Sequence, residues 1–183
     1  WSRMILDIHT HTSRHSPCST ISLEDLILAE MRVVDGIAIT DHDNLMSVDE
    51  ADYLSGKYDF VVLPGVEISA EGIYAHILAY GIEREIKPGL GVEETIARIH
   101  DQGGVAVAAH PLRYVDDLDG RKWGDLDCVE TLTPNCTFRQ NIRARDIALD
   151  WGLPQIGSSD VHSLSMVGKY ATSFDNDIFD RVS

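Results

Sequence analysis

At 183 residues, with a hydrophobic fraction of 44% and a formal net charge of -15, the chain is long enough for one domain with a sizeable core. It is too acidic for tight, sequence-independent binding of long duplexes. No apolar run is long enough to span a bilayer and nothing at the start reads as a signal peptide, while Cys18, Cys128 and Cys136 lack C-x-x-C spacing and fit a reducing, cytoplasmic setting.

Trp1-Ser2-Arg3, ahead of Met4, carries no structural weight, and residues 4–183 read as one domain without linker, repeat or low-complexity tract. Met4 to Ile8 is a first predicted strand. Ser22 caps a helix running to about Arg32. Gly36 to Thr40, unbroken in its apolar character, is a strand buried on both faces. Ser47 to Leu54 is a short helix. Phe60 to Leu63 is a third strand, continued after Pro64-Gly65 by Val66 to Ile68, and Tyr74 to Tyr80 is a fourth. Val92 to Asp101 is helical and ends at Gly103-Gly104. Val105 to Ala109 and Cys128 to Leu132 are the fifth and sixth strands, joined by the long irregular stretch from Leu112 to Asp127. Phe138 to Trp151 is helical and stops at Gly152. Leu153 to Gly157 is a seventh strand, with a further short one at Tyr170 to Phe174. The alternation of strand and helix predicts an α/β fold with a parallel sheet, closed or nearly so.

The polar residues collect at strand ends. His9 and His11 share a face one residue apart after strand one. Asp41, His42 and Asp43 follow strand two, Glu67 ends strand three, His76 lies in strand four, His110 follows strand five, and Asp160 and His162 follow strand seven. In parallel α/β barrels that edge builds active sites. A lone histidine there is a capping residue; the joint pattern is a metal centre. His100, near a helix C-terminus, is a surface residue. Imidazoles with a few carboxylates suit Zn, Mn or Fe. Metals close together share a carboxylate and a hydroxide, which becomes a nucleophile near neutral pH without a serine or cysteine. Cys18 reads as a small buried residue rather than a ligand.

The segments Asp7-Ile8-His9-Thr10-His11-Thr12, Thr40-Asp41-His42-Asp43, Pro64-Gly65-Val66-Glu67-Ile68-Ser69, His76-Ile77-Leu78-Ala79-Tyr80-Gly81, Ala109-His110-Pro111 and Gly157-Ser158-Ser159-Asp160-Val161-His162 resemble, in order, the motifs of the PHP (polymerase and histidinol phosphatase) family. The resemblance implies a distorted (β/α)7 barrel with two or three divalent metals, Mn, Zn or Fe. It implies one metal on His9, His11, Glu67 and Asp160, a second on the bridging Glu67 with His76 and His110, and a third on His42 and His162. His15 stands near, but not at, the position of a further third-site ligand, and is a candidate for it. Asp7, Asp41 and Asp43 are expected to orient imidazoles.

The activity this implies is hydrolysis of a small phosphomonoester, nucleotide or short oligonucleotide by a metal-bridging hydroxide. Its partners are a small phosphorylated substrate or short single-stranded nucleic acid ends, with no membrane. Arg113 is the first candidate to hold the phosphate and Arg14 the second. Arg139, Arg143 and Arg145 are expected in surface ion pairs. The 112–127 loop, with Arg113, Arg121, Lys122 and Trp123, could cover the cleft, with Trp123 stacking on a base. Two alternatives stand beside this: an amidohydrolase-like hydrolase, and a non-catalytic metal-binding accessory module. The Asp-rich, Lys-poor surface also fits a salt-loving host.

Overall fold

A computed structural model of the chain describes residues 3–71, 74–120 and 122–175. In chain order the elements are β1 (Arg3–Thr10), α1 (Leu23–Glu30), β2 (Gly36–Ile39), α2 (Val48–Tyr58), β3 (Val61–Ser69), β4 (His76–Tyr80), α3 (Val92–His100), β5 (Val105–Ala109), β6 (Cys128–Leu132), α4 (Phe138–Trp151), β7 (Gln155–Gly157) and β8 (Thr172–Asp175). The strands form one sheet in the order β7-β6-β5-β4-β3-β2-β1-β8. A bridge from Thr10 to Val161 and the hydrogen bonds joining Gly157 to the Thr172 hydroxyl bring its two ends together. The result is a distorted, nearly closed α/β barrel.

The sheet is mixed rather than parallel. β3 pairs with β2 in parallel from Val61 to Pro64, then with β4 in antiparallel from Gly65 to Ser69. Six residues separate β3 from β4, too few for a crossover helix, so the chain must turn straight back, and β5 then pairs antiparallel with β4. This reversal places His76 at the start of β4, opposite both Ser69 and Ala109, at the mouth where the parallel strands end. Expected boundaries also move. β3 runs unbroken through Pro64-Gly65, and α2 extends to Tyr58, closed by Asp59 in the left-handed region at φ 49°. The expected Tyr74 start of the fourth strand gives way to His76.

The barrel interior is filled by Leu6, Ile8, Ala38, Leu78, Val107, Ala109, Cys128 and Ile156. Outside it, Ile96 and Ile99 of α3 and Ala148 of α4 pack on β4–β6, and Leu26, Ile27, Ala51 and Leu54 of α1 and α2 pack on β2 and β3. Each fully buried Leu or Ile side chain contributes about 1.5–3 kcal/mol. Gly36 allows a close strand approach: a Cβ there would lie 2.6 Å from Cβ of Val61. α4 starts with a capping box, the Thr137 side chain accepting from Gln140 N–H while Gln140 accepts from Thr137 N–H. The same Gln140 donates to the Leu112 carbonyl at 2.6 Å, tying the start of the long loop to the helix.

One polar pair sits within this packing. Glu30, at the end of α1, is fully buried, and neither of its oxygens makes a well-formed hydrogen bond among the described residues. Burial, helped by the neighbouring Asp7 carboxylate, pushes Glu30 up to about 8. Because the folded value exceeds that of the unfolded chain, the folded protein holds a proton that the unfolded one releases. Stability on this account is complete below about pH 4.5 and is lost as pH rises toward 8. Glu30→Gln is expected to raise the melting temperature by roughly 3–6 °C at pH 8 and by little at pH 5, measured by calorimetry at both values. An equal change at both would remove the ionisation argument.

Candidate metal centre

Glu67 is the hub. Its carboxylate is fully buried in the part of β3 that pairs antiparallel with β4. One oxygen, Oε1, lies 2.8 Å from Nδ1 of His76 and 2.9 Å from Nε2 of His110. The other, Oε2, lies 3.3 Å from Nε2 of His9, 3.0 Å from Nε2 of His11 and 3.2 Å from Nδ1 of His42. Asp160 faces it across the mouth, with Oδ1 3.4 Å from His9, 3.2 Å from His11 and 3.3 Å from Nδ1 of His162.

Four buried atoms converge without a well-formed hydrogen bond: His9 Nε2, His11 Nε2, Glu67 Oε2 and Asp160 Oδ1. Orphaned buried polar atoms are costly. Two imidazole nitrogens and two carboxylate oxygens, within 4.8 Å of one another, form a donor set that a divalent cation would satisfy. Two further groups fall within the same reach: His11, His42 and His162, and His42, Glu67 and His76. His42 thus stands between the second and third sets, and His110 meets the second through Glu67 Oε1.

The groups behind these side chains set their tautomers. His9 Nδ1 donates to Glu130 at 3.0 Å and His162 Nδ1 donates to the Asp160 carbonyl at 2.9 Å. His11 Nδ1 faces Ser16 Oγ at 3.2 Å, and that hydroxyl itself donates to Asp41 at 2.6 Å, so it accepts from the imidazole. In His9 and His11 the Nε2 lone pair is left to face the mouth. Burial would push His9 and His11 down, but the surrounding carboxylates outweigh it and raise both, His9 well above its ordinary value. Burial would push Glu67 up, but His9 and the bonds from His11, His110 and His76 hold it well below the usual carboxylate range. Burial lowers His42 to about 4 against the pull of Glu67, with neighbouring imidazoles adding to the fall. Burial lowers His162 as well.

Backbone strain gathers here. The non-glycine residues in the left-handed region, among those described, are Asp43, His110 and Asp160 at the site, at φ 53°, 29° and 46°, and the helix cap Asp59. Such conformations cost of order 1–3 kcal/mol each and persist only where surrounding contacts hold them. Asp43 does this by accepting from Ser69 N–H and Oγ, at 2.7 and 2.8 Å.

Of the residues expected at the site, His9, His11, His42, Glu67, His76, His110, Asp160 and His162 all come together. His15 does not: its side chain is exposed, it joins none of the three sets, and it lines a separate cavity of ≈ 250 Å³ with Arg14, Asp41, Met46 and Glu50. The loop turns inward one residue later, at Ser16. Asp7 and Asp43 hold backbone amides rather than imidazoles, and Asp41 reaches His11 only through Ser16. Cys18 is exposed, not buried. Trp123 is buried in the core, out of reach of a stacking role. Arg14 pairs with Glu50. Arg143 and Arg145 make the expected surface pairs, with Asp117 and Asp146. Arg113, one-third exposed, reaches toward the mouth, its Nη1 3.8 Å from Asp160 Oδ2. Arg121 lies outside the described residues.

Sequence reasoning missed Glu130. On β6, buried, it accepts from His9 Nδ1, from the His110 N–H at 2.6 Å and from the Ser158 hydroxyl. Its signal was an acid in the middle of an apolar strand, the same anomaly that marks Glu67.

A distorted barrel whose mouth gathers histidines and acids is a PHP-type architecture. A family model described as PHP-associated matches residues 138–182. Uncharacterized protein MJ1587 of Methanocaldococcus jannaschii is 30% identical over 158 residues, covering 80% of this chain and 90% of the relative. Among solved structures, a proposed metal-dependent phosphoesterase of Bifidobacterium adolescentis superposes with a TM-score of 0.75 at 21% identity, covering 97% of this chain and 94% of that one. An amidohydrolase of Chromobacterium violaceum, with bound sulfate, gives 0.71 at 17% identity, covering 93% and 91%. The chain belongs to the PHP family. Among the described residues no helix is long and apolar enough to cross a membrane.

Proposed function

We propose that this chain is a metal-dependent phosphoesterase acting on a small phosphomonoester, nucleotide or short oligonucleotide. The observation that carries this is the convergence of four orphaned buried atoms, from His9, His11, Glu67 and Asp160, on one point. These residues would hold one divalent cation. Glu67 with His76 and His110 would hold a second, and His42 and His162 a third. When bound, the cations supply Lewis acidity and water ionised near neutral pH.

The protein's own part is charge and orientation. Glu67 has an oxygen for each of two neighbouring sets, so one buried carboxylate fixes their separation. Glu130, Ser16 and the Asp160 carbonyl hold three imidazoles in the tautomer a cation needs. Among the described residues Arg113 is the arginine that reaches the mouth, with its guanidinium set against the Tyr114 ring at 5.2 Å. It would grip the non-bridging phosphate oxygens, where charge gathers as phosphorus is attacked. An amide substrate would leave it without that partner, which favours a phosphoester over an amide.

The test is elemental analysis of the loaded protein, paired with a screen over mononucleotides, bisphosphates, histidinol phosphate and 5′-phosphorylated oligonucleotides. Bound Mn, Zn or Fe with phosphate release supports the reading. Metal binding with turnover of cyclic amides instead would overturn it, as would absence of metal. Arg113→Ala is expected to raise KM about 10–100-fold at unchanged metal stoichiometry, the worth of a charge-assisted bond or two. An unchanged KM across phosphoesters would remove Arg113 from the site.

A further inference from the structure

The loop that follows β6 contributes a residue whose role neither the motifs nor the metal sets explain. Asn135 Nδ2 donates to Asp160 twice, to Oδ2 at 2.6 Å and to the backbone carbonyl at 3.2 Å. The loop is itself fixed: Asn141 Nδ2 donates to the Thr133 carbonyl at 2.9 Å, and Thr137 caps α4. Asp160 is fully buried and sits at a left-handed φ of 46°, so its side-chain direction is not set by ordinary strand geometry.

Its two oxygens have different company. Oδ1 is the orphan that faces His9 and His11. Oδ2 faces Asn135 at 2.6 Å, with Nη1 of Arg113 at 3.8 Å and Nε2 of His110 at 3.9 Å. Asn135 therefore fills the lone pair for which Arg113 is the nearest charged competitor. The carbonyl that Asn135 also grips accepts from His162 Nδ1, so the same amide steadies the anchor of a second imidazole.

From this we propose that Asn135 is a positioning residue with two consequences. It keeps Asp160 presenting one oxygen to the cation, and it keeps Arg113 off Asp160 and available to substrate. The inference rests on the metal-dependent phosphoesterase reading and deepens it. Without Asn135 the bare Oδ2 draws Arg113 across the gap of about 1 Å to hydrogen-bond distance. The guanidinium is then spent inside the protein, and the carboxylate turns away from its metal-facing pose.

The experiment uses the full chain with Mn²⁺ as the probe. Asn135→Ala, Arg113→Ala and the double variant are compared by calorimetric Mn²⁺ titration, by KM and kcat on the best phosphoester, and by melting of the metal-free protein. Asn135→Ala is expected to weaken Mn²⁺ binding 10–100-fold, as loss of a group orienting a ligand does. It should also raise KM about tenfold. In the Arg113→Ala background the same change should leave KM alone, because the arginine is no longer there to be captured, while the Mn²⁺ loss persists. Asn135→Ser, whose hydroxyl stops short of Oδ2, should behave as the alanine variant and stands in for it if that variant does not fold. Wild-type Mn²⁺ affinity in either variant, or KM effects that add in the double variant, overturns the assignment while the metal reading stands. A lower melting point with neither change would make Asn135 merely structural and equally overturns it. Failure of the wild type to bind Mn²⁺, Zn²⁺ or Fe²⁺ sinks the metal reading, and this inference with it.

Discussion

Glu67→Gln is expected to abolish phosphoester hydrolysis, by about 10³-fold or more in kcat/KM, and to strip most of the metal. The reason is the number of groups that depend on one charge. Both oxygens are engaged, Oε1 with His76 and His110 and Oε2 with His9, His11 and His42. Glutamine keeps the shape but offers one oxygen and one NH2, so one side of the hub turns from acceptor to donor and faces ring nitrogens with no carboxylate. The metal-free protein suffers as well. Its mouth holds buried imidazoles whose proton affinity is sustained by the carboxylates, and removing the central anion leaves them uncompensated. Breaking a buried charge pair in this way costs about 3–5 kcal/mol, or roughly 10 °C in melting temperature for a chain of this size. Metal content by elemental analysis and melting of the metal-free protein check the two halves separately. Full metal occupancy with wild-type rate would refute the hub.

What the sequence made legible was residue type at strand ends. His9 and His11 announce themselves by spacing, and Asp160 with His162 likewise, because the chemistry needs those atoms at those positions. The barrel followed from the alternation of strand and helix. The direction of β4 did not, since nothing in the apolar run Ile77 to Ala79 distinguishes a parallel strand from an antiparallel one. Only the shortness of the connection after Ser69, too brief for a crossover, carried that information. The supporting groups were harder to see. Glu130, Ser16 and Asn135 work through contacts between segments distant in the chain, 121 residues in the case of His9 and Glu130. Local pattern holds no record of such partners. His15 fails in the opposite way. It lies close to the first motif in sequence, but the turn that brings Ser16 inward directs the preceding side chain out to the neighbouring cavity.

Glu130→Gln is the second change with a large expected effect, and it tests whether a residue that touches no cation governs the site. Three donors converge on this carboxylate: the His9 Nδ1–H and the Ser158 hydroxyl on Oε1, and the His110 backbone N–H on Oε2. They come from segments following or within β1, β7 and β5, so Glu130 ties three walls of the mouth together from β6. A carboxylate accepts at both oxygens. An amide cannot, and whichever way it is placed its NH2 opposes at least one donor. If the NH2 faces His9, the ring is released or flips its tautomer and loses the Nε2 lone pair aimed at the mouth. If it faces His110 N–H, the left-handed turn at His110, at φ 29°, loses the bond that holds it. Either placement leaves a buried group unsatisfied, at a cost of about 1–3 kcal/mol. Metal affinity is expected to fall 10–100-fold, and the melting temperature of the metal-free protein to drop by roughly 2–10 °C. Calorimetric metal titration and thermal melting measure the two. Because glutamine matches glutamate in volume, packing is unchanged, and a variant with normal metal affinity would show that His9 is oriented by its strand alone.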